Sequence, residues 1–170
     1  EAYLPETKAW KTIIDKFGVD ILSDDRTVDR KKLGAIVFGD PSRLAVLNAI
    51  MFPAIYEIIQ GRIRNFGQEG WEVVVVEAAL FIEAKWNSLA DEIWVTTASE
   101  SVVIDRIKKR NNLDEQAIKA RIESQMPKEE RLKHADAHIQ NDLELDQLRK
   151  QVEKIWETSI PSTKENRAKT

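Results

Sequence analysis

Residues 71–83 read WEVVVVEAALFIE, and no other stretch restricts the possible folds as much. Val73 to Val76 are four consecutive β-branched residues. A strand with one wet face alternates apolar and polar positions; an unbroken apolar run predicts a strand buried on both faces. Such a strand belongs to a parallel sheet flanked by helices. Ligands of these sheets bind beyond the carboxyl ends of the strands. Glu77 stands at that end, ahead of a small-residue turn.

The rest of the chain alternates in the way such a sheet needs. Trp10, Ile13, Ile14 and Phe17 recur at helical spacing across 6–18, and Gly18 provides a stop. A second helix is expected from Asp29, a plausible N-cap, to Val37. The longest helical pattern covers 42–68, and Pro53 within it should break or kink the helix. Asp91 to Thr97 reads as a second buried strand. Ser99 is placed to cap a helix over 100–111. Further helices are expected over 114–126, closed by Pro127, and over 128–135. A brief strand follows at 137–140, then a last helix over 143–158 and a polar, disordered tail over 161–170. The order is that of an α/β protein.

Composition narrows the function classes. Among 170 residues 42% are hydrophobic and 32% charged, the balance of an ordinary globular domain with a real core. Cysteine is absent, so disulfides and thiolate metal sites are excluded, and a reducing compartment is expected. The net charge of −3 argues against broad nucleic-acid binding. No apolar run was expected to reach the roughly 20 residues of a membrane span.

Three constellations carry possible chemistry. Glu77, with Glu83 nearby, could hold Mg²⁺ or act as a general base; it could equally cap a helix or pair with an arginine. Arg106, Lys108, Lys109 and Arg110 form a basic run, with Arg121 beyond it. Guanidinium forks at 106 and 110 share a helix face and suit phosphate oxygens, although such runs are more often a solvated surface. His134 and His138 are four apart, but a strand from Ala137 would send the two rings in unrelated directions. The five tryptophans read as core or interface anchors.

Taken together, the segments resemble a family. AYLPET at 2–7, FG-x-x-IL at 17–22, VDRKKLGAIVF at 28–38 and LNAIMFPAI at 47–55 follow the order and spacing of dephospho-coenzyme A kinases. VVVVEAALFIE at 73–83, RIKKR at 106–110, ARIESQM at 120–126 and HADAHIQND at 134–142 complete the series. The resemblance implies a P-loop kinase-like parallel sheet flanked by helices, in one domain over 1–160. Residues 1–66 would form a helical substrate region, 71–97 and 137–158 the core, and 100–135 a lid. The implied reaction moves the ATP γ-phosphate to the ribose 3′-hydroxyl of dephospho-coenzyme A, with Mg²⁺.

By position, Glu77 resembles the acidic residue near the metal. Arg110 and Arg121 resemble lid residues facing ATP phosphates, and Arg106 joins them. Gln125 would lie on the same lid helix as Arg121. Asn141 resembles the family's adenine-side contact. Phe52-Pro53 replaces the usual His-Pro, and with FIEAKW at 81–86 it leans towards the kinase half of the animal two-activity coenzyme A synthase. Fusion to, or association with, a phosphopantetheine adenylyltransferase domain and a cytoplasmic or mitochondrion-associated location follow from that leaning.

One family feature has no counterpart here. The Gly-rich phosphate loop and first strand lie upstream of the position of Tyr3, and none of the six glycines precedes a lysine. The expectation is a sheet lacking its first strand and a chain with no turnover by itself. A non-catalytic relative binding a coenzyme A-like ligand or a protein partner is the alternative. Another nucleoside monophosphate kinase would fit the fold but not the 28–55 pattern.

Overall fold

A computed structural model describes residues 1–111, 115–123, 125–142 and 144–167. The chain divides into two units, Glu1–Ala79 and Leu80–Thr170.

The first unit is helical. α1 (Lys8–Phe17) starts where Thr7 Oγ1 accepts the Trp10 amide at 3.1 Å, and stops at Gly18, whose φ of 86° suits a residue without a Cβ. A 3₁₀ turn, Val19–Ile21, leads to α2 (Arg30–Val37). Asp29 caps α2 as expected, its Oδ1 accepting the Lys31 and Lys32 amides. α3 (Pro41–Gln68) is capped in the same way by Asp40, with Pro41 in its first turn. Ile13, Ile21, Leu33, Val37, Leu47 and Met51 make the core between these elements, and Ile13 and Ile21 are wholly buried.

Pro53 lies inside α3 without ending it; of the break or kink expected there, the break does not occur. A proline in mid-helix frees the carbonyl four residues back. That residue is Ala49, which is exposed, so water satisfies the freed oxygen. Leu47 and Met51 before the proline and Ala54, Ile55 and Ile58 after it pack on the core, so both halves are anchored. The uninterrupted helix is 28 residues long, about 42 Å. By length and composition alone it is apolar enough to cross a membrane, with mean hydropathy 1.4 over its best window. Arg43, Glu57, Arg62 and Arg64 interrupt the helix, so no unbroken apolar run of that length stands out in the sequence.

The valine run is the largest correction to the sequence reading. Residues 73–78 form no helix or strand, and they pair with no strand among the described residues. Val75 is 78% exposed, and Trp71 and Val73 are exposed too. β-branching favours extended backbone, but a strand exists only with a hydrogen-bonding neighbour.

The second unit contains the sheet. β1 (Trp94–Thr97) and β2 (Ala137–Gln140) are parallel, with Trp94 opposite Ala137 and Thr97 opposite Gln140. The crossover carries α4 (Glu100–Asn111), α5 (Glu115–Glu123) and α6 (Lys128–Leu132). α7 (Leu145–Arg167) follows β2. It continues past Pro161, where a disordered tail was expected; residues 168–170 lie outside the described residues. Val95, Thr97 and Ile139 are buried while Thr96, His138 and Gln140 are exposed. Each strand alternates, but Val95 stands beside His138 and Ile139 beside Thr96, so the buried residues of β1 and of β2 lie on opposite faces of the pair. Ile82, Trp86 and the fully buried Ile118 complete the apolar interior of this unit.

Candidate functional site

The carboxyl ends of β1 and β2 open into a groove of about 440 Å³. α4 provides one wall. Val102, Asp105, Arg106 and Lys109 follow the three-and-four spacing that puts them on one helix face. The other wall is the segment after β2: Asn141, Asp142, Glu144, Leu145 and Leu148. Groove and strands stand in the relation expected of a ligand site in a parallel α/β sheet.

Backbone bonds fix the floor. The Asn141 amide donates to the Thr97 carbonyl at 2.7 Å, extending the ladder one residue past β2. Asp142 Oδ1 accepts the Ser99 amide at 2.6 Å, and its Oδ2 accepts Gln140 Nε2 at 2.9 Å. The Ser99 amide, chiefly, holds the Asp142 carboxyl below the usual carboxylate range. Gln151 of α7 steadies β2 from behind, accepting the Gln140 amide and donating to its carbonyl. Thr97, buried, lies 2.7 Å from His138 Nε2 through its hydroxyl.

α4 and α5 are joined by charge. Glu115 accepts from Lys108 at 2.7 Å and from Lys119 at 3.1 Å. These two ammonium groups, Lys108 first, pull its carboxyl down to about 2.

The expected site residues are distributed unevenly. Arg106 and Asn141 face each other across the groove as its lining. Arg110 stands one turn beyond Arg106, in the last turn of α4. Arg121 belongs to the α5 backbone, but its side chain lies outside the described residues. Gln125 is not on that helix: α5 ends at Glu123, and Gln125 sits in a bend, its amide donating to the Ile122 carbonyl. Glu77 is exposed and belongs to the first unit. His134 lies in a turn and His138 in β2, so they share no helix face. Among the described residues no group of three metal-ligating side chains occurs.

Asp142, Asp105 and Gln151 were not singled out from the sequence. For Asp142 a signal existed: an Asn-Asp pair directly after a strand is placed to bond backbone amides.

The fold and groove together define an α/β protein with its candidate site at the carboxyl ends of parallel strands. The family model for CoaE, dephospho-CoA kinase, matches residues 1–147. The dephospho-CoA kinase of Carboxydothermus hydrogenoformans is 39% identical over 148 residues, 87% of this chain and 72% of that protein. That of Geobacter sulfurreducens is 35% identical over 161 residues, 95% of this chain and 82% of that protein. Among solved structures, dephospho-CoA kinase from Campylobacter jejuni aligns with TM-score 0.61 at 29% identity, covering 91% of this chain and 78% of that one. TT1252 from Thermus thermophilus shares the fold, with TM-score 0.69 at 23% identity over 88% of this chain and 76% of that one. The chain belongs to the dephospho-CoA kinase family. None of these matches narrows it to the animal two-activity branch.

Proposed function

We propose that the protein catalyses transfer of the ATP γ-phosphate to the ribose 3′-hydroxyl of dephospho-coenzyme A, the last step of coenzyme A synthesis. The observation that carries this is the family match across residues 1–147, in a chain 39% identical to a dephospho-CoA kinase. The groove supplies a chemical rationale for the nucleotide. Its Asn141 amide offers a donor and an acceptor to a base edge, and Val102, Leu145 and Leu148 offer apolar surface to a base face. The Arg106 guanidinium suits phosphate oxygens. Arg110 and Arg121 are assigned to charge that develops on the transferred group, which is where such residues accelerate phosphoryl transfer. Gln125 is assigned to the same lid segment. The wider P-loop kinase sheet, of which β1 and β2 would be two strands, is part of this reading.

Mg²⁺ fits the donors present. It is bound through one or two carboxylates together with substrate phosphates and water, and needs no cluster of protein ligands. Glu77 is an accessible carboxylate of that kind, and the resemblance assigns it to the metal. When bound, the ion supplies charge neutralisation at the phosphates.

A coupled assay of the full-length gene product with ATP and dephospho-coenzyme A tests the reading. Turnover that falls about 10²-fold or more in Arg110→Ala supports it. Absence of turnover with retained binding of dephospho-coenzyme A would instead identify a non-catalytic relative.

A further inference from the structure

The network around Asp142 does more than close a turn. Its two carboxylate oxygens are committed to different partners: Oδ1 to the Ser99 amide at 2.6 Å, Oδ2 to the Gln140 side chain at 2.9 Å. Ser99 immediately precedes α4, the helix that carries Arg106 into the groove. Asn141, on the opposite wall, precedes Asp142 directly and is tied by its amide to Thr97. One side chain therefore sets the spacing between the wall that holds Arg106 and the wall that holds Asn141. The positive end of α4 favours a carboxylate there, and the two donors occupy it, so its charge is not directed at a ligand in the groove.

We propose that Asp142 is a positioning residue for nucleotide binding, acting through Ser99 and Asn141 and not by touching the nucleotide. The inference rests on the nucleotide reading of the groove given above. It goes beyond that reading because it assigns groove width, and with it ATP affinity, to a residue outside the expected contact set. A side chain that only stabilised the fold would reduce the amount of active enzyme, and with it apparent kcat, without raising the KM of one substrate. A positioning residue should act on one substrate.

The test uses Asp142→Ala and Asp142→Asn in the full-length gene product, with Asn141→Ala and Arg106→Ala as companions. Asp142→Ala is expected to raise KM for ATP about fivefold or more, leaving kcat and KM for dephospho-coenzyme A within about twofold. Asp142→Asn keeps an oxygen for the Ser99 amide and is expected to stay within about twofold of the parent. Calorimetric titration with ATP should give the same ranking if either variant is too slow to assay. Equal behaviour of the Ala and Asn variants, or parallel changes in both KM values and in the urea midpoint, overturns the inference. If Asn141→Ala and Arg106→Ala leave KM for ATP unchanged, the groove is not the nucleotide site and the reading beneath the inference falls with it. If those two raise it and Asp142→Ala does not, only the role of Asp142 is lost.

Discussion

The two units are held together by different means. The first is closed by apolar burial: Ile13 and Ile21 have no exposure, and Trp10, Leu33, Val37, Leu47 and Met51 surround them. Its cation contacts lie at the margin, as where the Arg26 guanidinium sits over the Trp10 ring and the Trp10 indole donates to the Arg26 carbonyl. The second unit has two four-residue strands, with Val95 and Thr97 buried on one face of the pair and Ile139 on the other. Carboxylates clamp that pair at both ends. Asp136 accepts the Ile93 amide at 2.8 Å at the amino end, and Asp142 accepts the Ser99 amide at the carboxyl end. A short sheet can hold its register through backbone-to-carboxylate bonds where its apolar area is small, and the same bonds then shape the groove. The lesson is that rigidity near the candidate site is polar in origin.

The difference can be broken first at Ile13. Ile13→Ala should cost about 2–5 kcal/mol, because the emptied volume is walled by helices on several sides. Urea unfolding measures it, and a loss below about 1 kcal/mol would mean the first core is loosely packed.

A cap and a clamp come next, in opposite units. Thr7→Ala removes the oxygen that accepts the Trp10 amide and should cost about 1 kcal/mol, read by thermal unfolding. Asp136→Ala orphans the Ile93 amide and should cost about 1 kcal/mol. Hydrogen exchange should show the loss at Ile93 and Ala137 while the first unit keeps its protection. Exchange that rises evenly through both units would erase the contrast.

The pH response is smaller and local. The Glu115 carboxyl is depressed from its ordinary 4.5 to about 2 by Lys108 and Lys119. A depressed carboxylate contributes stability that is present above its unfolded value and is lost as pH falls through the folded one. The link between α4 and α5 should therefore be intact above pH 4.5 and weaken between 4.5 and about 2. An NMR titration of the Glu115 side chain checks this, and a midpoint near 4.5 would contradict the two short ion pairs. The smallest effect is expected at Val75. Being 78% exposed, Val75→Thr in the 170-residue chain should change stability by less than about 0.5 kcal/mol. A cost of about 2 kcal/mol would show that another element covers the valines.

Local rules were legible in the sequence where the chain's own neighbours decide the outcome. Asp29 caps α2, α4 spans 100–111, and β2 occupies 137–140 as the pattern indicates. Reading failed where the outcome depends on distant partners. Four valines announce burial but cannot announce which strand lies beside them. Pro53 announces a break or a kink, and packing of Leu47 and Met51 before it and Ile55 and Ile58 after it keeps the helix unbroken. Among the residues that line the candidate groove, Arg106 and Asn141 stood out in the sequence because basic and amide side chains advertise their chemistry. Asp142 was missed because its role lies in spacing two walls, which no single residue type signals. Gln125 was misplaced by letting α5 run to the proline instead of stopping short of it.

The unbroken α3 has a consequence for how the chain is made. An apolar helix of bilayer-spanning length is hazardous when it leaves the ribosome uncovered, since membranes and chaperones bind such segments. In this chain α1 and α2, which supply the cover for Leu47 and Met51, precede α3 and emerge first. Synthesis runs at about 5–20 residues per second, so they have had time to form before the apolar segment appears. Gene order thus puts the helices that cover Leu47 and Met51 ahead of that face, and a circular permutant that began at Pro41 would expose it first.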